Sequence, residues 1–232
     1  MSTRLHSFED RAVLAATLSE TIASALRSGI HARGEATLAV SGGSTPKGLF
    51  EALSAIELAW DKVIVTLVDE RFVPGDNPRS NHLLVATHLL KDKAAGAHFL
   101  PLYRPADSAE DAAVSATAES ERLAMPFDVV ILGMGTDGHT ASFFPGGNTL
   151  SEALDLALPR RVLAMEADGA GEPRLTFSFS ALHDARLLAL HIEGDEKKAV
   201  LDKALSADDE RDMPIRAALN RATTPVDIYW AP

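Results

Sequence analysis

Short apolar runs alternate along the chain with stretches in which apolar residues return every three or four positions. Leu14, Leu18, Ile22 and Leu26 predict an amphipathic helix over about residues 9–28. Residues 35–40 then read as a strand, and Leu49, Leu53 and Ile56 share one face of a second helix, with Thr45 suited to its N-cap and Pro46 to its first position. Residues 63–68 form a second apolar strand. Residues 83–90 have helical character, and 107–123 have the alanine- and acid-rich composition of a solvated helix, with Asp107 as its cap. Residues 129–132 and 161–165 are further strands. Leu175, Phe177 and Phe179 alternate with Thr176, Ser178 and Ser180, which predicts a strand with one apolar face. Residues 187–192 make another strand, a helix carrying Val200, Leu201 and Leu205 follows Gly194, and residues 226–230 form a short last strand.

Strands alternating with helices predict one α/β domain over residues 1–232, with a mainly parallel sheet flanked by helices. The strands crowded after Arg161 leave room for antiparallel additions towards the C-terminus.

Composition narrows the function. No apolar run approaches the ~20 residues of a membrane span, and the first ten residues lack the apolar core of a secretory signal. The chain has no cysteine, so it holds no disulfide and no thiolate metal site. A cytoplasmic enzyme is expected. The net charge of −11 argues against nucleic acid, whose phosphates require basic patches. A small phosphorylated ligand is still allowed, provided that a few local donors overcome the global field.

Glycine-rich loops follow two of the strands. Ser41-Gly-Gly-Ser-Thr45 lies between a strand and a helix N-terminus, where bare N–H groups and the helix dipole suit a phosphate or a sugar hydroxyl; a tight turn is the alternative. It is no Walker A loop, since Leu49 and Phe50 stand where Lys and Ser/Thr would be needed. Gly133-x-Gly135-x-x-Gly138 has the spacing of a dinucleotide fingerprint, but Pro145-Gly146-Gly147 forbids the long helix that must follow. The same loop carries His139, a candidate general base, with Asp137 two residues away to orient it. Asp69-Glu70-Arg71 ends a buried strand and reads either as a surface charge cluster or as part of a site. Arg174 and Lys197 read as surface charges unless their elements meet. The other histidines, at 6, 31, 82, 88, 98, 183 and 191, have no comparable setting, and His191, inside an apolar strand, reads as packed. No metal site is expected.

Taken in order, Ser41-Gly-Gly-Ser-Thr-Pro46, Val68-Asp-Glu-Arg71, Ser80-Asn81, Gly133-x-Gly135-x-Asp137-Gly-His139-Thr-Ala-Ser142 with Phe144-Pro145, Pro173-Arg174 and Gly194-x-Glu-Lys197 resemble the 6-phosphogluconolactonases. These are short single-domain proteins related to the glucosamine-6-phosphate deaminases. The resemblance covers nearly the whole chain, and Phe143 departs from the leucine usual in the family. It implies a modified Rossmann-like fold and hydrolysis of 6-phospho-D-glucono-1,5-lactone in the oxidative pentose phosphate pathway, without metal or organic cofactor. It also implies roles. His139 would activate water, Asp137 would orient it, and Arg71 would stabilise charge near the lactone carbonyl. Ser41, Gly42, Gly43, Ser44 and Thr45, with Arg174 and Lys197, would hold the phosphate. Asp69 and Gly135 would join the substrate site, and Ser80 and Asn81 would contact ring hydroxyls. The related deaminases carry Asn-Glu-Pro after the Asp-Gly-His motif, where this chain has Phe143-Phe144-Pro145. A non-catalytic sugar-phosphate-binding protein would need the cradle without the base. A monomer or a homodimer is expected.

Overall fold

The computed structural model describes residues 3–232. Its strands are β1 (Arg4–Ser7), β2 (Ala36–Val40), β3 (Val63–Leu67), β4 (Asp69–Arg71), β5 (His98–Leu100), β6 (Val129–Leu132), β7 (Val162–Met165), β8 (Arg174–Phe177), β9 (Leu187–Glu193) and β10 (Val226–Ala231). The α-helices are α1 (Arg11–Arg33), α2 (Lys47–Ser54), α3 (Asn81–His88), α4 (Ala109–Ser120), α5 (Leu150–Ala153), α6 (Phe179–Leu182), α7 (Asp195–Leu205) and α8 (Ile215–Arg221). Seven strands form a wholly parallel sheet in the order β1-β10-β9-β6-β2-β3-β5. The other three form a small antiparallel sheet, β4-β8-β7.

The central strands explain themselves. Every residue of β2 and β6 is buried, as expected where helices cover both faces of a parallel sheet and strands become continuous apolar runs. Leu14, Leu18, Ile22 and Leu26 are fully buried on the core face of α1. That helix begins at Asp10, whose carboxylate accepts from the Val13 N–H. It ends at Gly34, where φ of 85° lets the N–H return to the Ile30 carbonyl. No helix is long and apolar enough to cross a membrane among the described residues.

Several expectations need correction. The alternation at 175–180 does not continue as a strand: β8 stops at Phe177, and Phe179 opens α6. All four β8 residues are buried because β8 lies between β4 and β7, so Thr176 does not face water. Helix α2 starts at Lys47, Pro46 takes the N-cap position without a side-chain cap, and Thr45 is left free to face the cavity described below. Ser108, rather than Asp107, caps α4 through the Asp111 N–H. The antiparallel additions are β7 and β8 with β4, whereas β9 and β10 run parallel in the main sheet. Strand β1 was not anticipated.

Candidate active site

The carboxyl ends of β2, β6 and β9, together with β4 and β8, surround a cavity of about 240 Å³, at the place where open α/β sheets bind ligands. The loop after β2 forms one wall. Ser41 ties that loop to β6: its hydroxyl donates to the Ile131 carbonyl (2.9 Å) and accepts from the Gly133 N–H (2.9 Å), while its own N–H also reaches Ile131 (3.0 Å). Both Ser41 donors are therefore committed to the scaffold, which corrects their expected use on a phosphate. A Cβ on Gly42 would overlap the Asn81 amide, and Gly43 has φ of 93°, so this loop needs its glycines. Among the described residues, the N–H groups of Gly42, Gly43 and Ser44 meet no acceptor.

The loop after β6 carries the imidazole. Thr140 donates its hydroxyl to the Gly133 carbonyl (2.8 Å) and the Gly135 N–H donates to the His139 carbonyl (2.8 Å), closing a compact turn that passes through Gly138 at φ of 80°. Within it Asp137 Oδ1 accepts from the His139 N–H (3.1 Å) and lies 2.6 Å from His139 Nδ1. Burial pushes the Asp137 carboxyl up, but the hydrogen bond and charge of His139 outweigh it and bring the pKa down to about 2. An ionised Asp137 fixes the proton on Nδ1 and leaves Nε2 with its lone pair. Gly135 makes room for the pair, because a Cβ there would overlap both the imidazole and the carboxylate. The Phe144 ring lies 4.3 Å from the imidazole, centroid to centroid.

Cations form the remaining walls. Arg71 and Arg174 are directly paired across β4 and β8. Arg71 Nη1 donates to the Arg79 carbonyl (2.6 Å) and Arg174 Nη2 to the Ala170 carbonyl (2.6 Å); the Nε of each is buried without a partner. Arg174 also stands over the Phe144 ring at 5.3 Å. Its nearest carboxylate is Asp69, at 3.9 Å, and Asp69 in turn accepts from the Ser142 hydroxyl (2.6 Å). Burial lowers the Arg174 pKa and Arg71 adds to this, while Asp69, Glu172 and Glu70 act in the opposite sense. Lys197, in the first turn of α7, donates to the Met134 carbonyl (2.7 Å), and its pKa is lowered by burial against the pull of Glu196 and Asp137. Two paired arginines and a lysine lining one cavity make a site for an anion.

The cavity brings together Ser41 to Thr45, Asp69, Arg71, Asn81, Gly135, His139, Arg174 and Lys197, with Asp137 behind His139. Ser80 does not line it. Its hydroxyl donates to Glu70 (2.9 Å) and accepts from the first N–H groups of α3, so it is a helix cap rather than a ring-hydroxyl contact. Asn81 does line it, with its amide donating to the Asp69 carbonyl (2.9 Å). The surface-cluster reading of 69–71 fails, because Asp69 and Glu70 are buried. Glu70 accepts from the N–H groups of Arg71, Asn81 and His82 and from Ser80, which anchors α3 beside the site. Nothing in a charged triplet announces a partner ten residues on. His191 is packed as expected, with Nε2 3.2 Å from Glu193, yet it borders the cavity. No cluster of three His, Asp or Glu side chains suited to a metal occurs among the described residues.

The family model of glucosamine-6-phosphate isomerases/6-phosphogluconolactonase matches residues 9–230. A 6-phosphogluconolactonase of Rhizobium meliloti is 60% identical over the whole of both chains. One of Mesorhizobium japonicum is 52% identical over 98% of this chain and 94% of its own. The crystal structure of a 6-phosphogluconolactonase from Shewanella baltica matches with a TM-score of 0.96 at 41% identity, covering 100% of this chain and 98% of that one. A monomeric glucosamine-6-phosphate deaminase shares the fold, with a TM-score of 0.80 at 18% identity over 99% and 97% of the two chains.

Proposed function

Because the chain belongs to the family of glucosamine-6-phosphate isomerases and 6-phosphogluconolactonases, we propose that it hydrolyses 6-phospho-D-glucono-1,5-lactone to 6-phospho-D-gluconate. The observation that carries this reading is the His139–Asp137 pair at 2.6 Å, set in one cavity with Arg71, Arg174 and Lys197. A base and a group of cations lining one cavity suit a small ester that carries a phosphate. The names of the relatives support the same substrate.

In this reading His139 Nε2 takes a proton from water as the water oxygen attacks the lactone carbonyl carbon. The carbonyl oxygen becomes an oxyanion, which the positive charge of Arg71, at the cavity wall, stabilises. The tetrahedral intermediate then expels the ring oxygen, and the imidazolium returns its proton to that oxygen, which regenerates the base; the open-chain acid so formed ionises to the carboxylate by giving its remaining proton to solvent water. Asp137 holds the ring orientation and offsets the transient imidazolium charge. The free N–H groups of Gly42, Gly43 and Ser44, with Arg174 and Lys197, hold the phosphate dianion on an otherwise acidic protein. General-base assistance of this kind is worth ~10²–10⁴-fold, enough for an ester that already opens slowly in water.

The deaminase reading is less well supported. Phe144, whose ring lies against His139, stands where those enzymes have the glutamate of Asn-Glu-Pro, so the carboxylate used in ring opening is missing. The proposal includes action as a single cytoplasmic domain, monomeric or dimeric, in the oxidative pentose phosphate pathway and without a cofactor.

The test is formation of 6-phosphogluconate from freshly prepared lactone without added metal. Purified protein should exceed the spontaneous rate, and a rate no faster than buffer would end the proposal. His139→Ala should remove most of the activity while the thermal transition persists.

A further inference from the structure

Two loops flank the arginine pair, and each holds one of its members through a main-chain carbonyl: Arg79 in the loop after β4 holds Arg71, and Ala170 in the loop before β8 holds Arg174. The first loop keeps its shape through its own contacts. The Asn77 N–H reaches Pro74, the Ser80 N–H reaches Asn77, and the Arg79 N–H reaches the Asn77 side chain (2.9 Å). The two loops also meet through the Phe72 N–H and the Pro173 carbonyl (2.8 Å). The Arg79 side chain is therefore not needed to place its own carbonyl, and among the described residues its one polar contact is with Glu172, at 2.5 Å.

Glu172 is the unusual member of that pair. Its side chain is only 14% exposed, whereas that of Arg79 is 59% exposed. It lies two residues from Arg174 in the chain and close enough to favour that guanidinium's charged form. Its carboxylate accepts from no other group among the described residues. Released from Arg79, it is left with no cation partner two residues from Arg174, the group on which an anionic substrate depends.

We propose that Arg79 is a positioning residue: by engaging Glu172 it keeps that carboxylate from competing with the substrate's negative charge for Arg174. The inference rests on the cavity being the site of a phosphorylated substrate. It separates from a plain loop clamp through the order in which charges are removed. A clamp is broken equally by losing either partner. Under the proposed role only a carboxylate left without its partner does harm.

The experiment compares Arg79→Ala, Glu172→Gln and the double variant in steady-state lactone hydrolysis, with thermal melts to confirm folding and Arg79→Lys as the conservative replacement. Arg79→Ala should raise KM about two- to fivefold, the scale of a partly exposed ion pair, with kcat nearly unchanged. Glu172→Gln alone should behave as the parent protein, the double variant should regain the parent KM, and Arg79→Lys should keep it. Equal impairment by Glu172→Gln and Arg79→Ala, or a double variant no better than Arg79→Ala, would overturn the inference while leaving the lactonase reading intact. A parent protein no faster than buffer would overturn both.

Discussion

Gly135→Ala is the sharpest test of the histidine–aspartate pair, because it touches neither residue chemically. An added Cβ at 135 would occupy the space of His139 Nδ1 and Cε1 and of Asp137 Oδ1. All three are ends of side chains that are 31% and 43% exposed, so they can swing aside towards solvent at a cost to the fold of about 1 kcal/mol or less. The catalytic cost is much larger. Separating the pair gives up oriented general-base assistance, about 10²–10⁴-fold in kcat, or roughly 3–5 kcal/mol of transition-state stabilisation. Gly34→Ala is the control: Gly34 needs φ of 85°, would meet nothing within 4 Å of an added Cβ and lies at the end of α1 away from the cavity. It should lose about 1 kcal/mol of stability from left-handed strain and keep its kcat. The assay is initial-rate hydrolysis of fresh lactone beside a thermal melt for each variant. A Gly135→Ala protein that turns over at the parent rate would refute the role given to the pair.

Asp137→Asn should lower kcat by about 10²-fold or more, since an amide can present its N–H to Nδ1 and stabilise the wrong tautomer; an unchanged kcat would count against orientation by the carboxylate. Because the folded pKa of Asp137 lies below its ordinary value, its stabilising contribution is present above that ordinary value and lost as pH falls towards about 2. The stability difference between Asp137→Asn and the parent, followed by denaturant titration, should therefore shrink as pH falls below the ordinary carboxylate range towards about 2. Glu70→Gln should destabilise the fold by about 2 kcal/mol, because an NH₂ group would then face donors that now meet a carboxylate oxygen; an unchanged melting temperature would refute that account. Lys197→Ala should act mainly on KM, and a KM equal to the parent's would remove Lys197 from the phosphate site.

Much of this could be read from the chain because the parallel sheet buries its central strands on both faces, which leaves runs such as Val129 to Leu132 with no polar interruption. The loops at their ends were legible for a similar reason: glycines at 42, 43 and 135 stand where a side chain would collide or a left-handed turn is required. Contacts between distant segments left no such mark. Strand β1 is four mostly exposed residues whose only reason to be extended is a ladder to β10. Glu70 looked like one more surface acid, although its partners gather from the start of α3. Phe179 continued an alternation that the backbone abandons at Ser178, because the strand has by then run past its partners on β4 and β7. Ser41 illustrates a subtler limit, since nothing in the motif shows that its hydroxyl ties the loop to β6.

The pairing of β1 with β10 also constrains the order in which the molecule can assemble. His6 and Asp227 touch across 221 positions of chain, and β10, which carries Asp227, is the strand that joins β1 to β9 and so to the rest of the sheet. On the ribosome β1 therefore emerges well before its partner, and Arg4 to Ser7 have no ladder until Val226 to Ala231 is released. The other five strands, β9 to β5 in the sheet order, can pair before then, whereas the β1 edge cannot, so a chain stopped short of Val226 would lack the ladders of two of the seven strands.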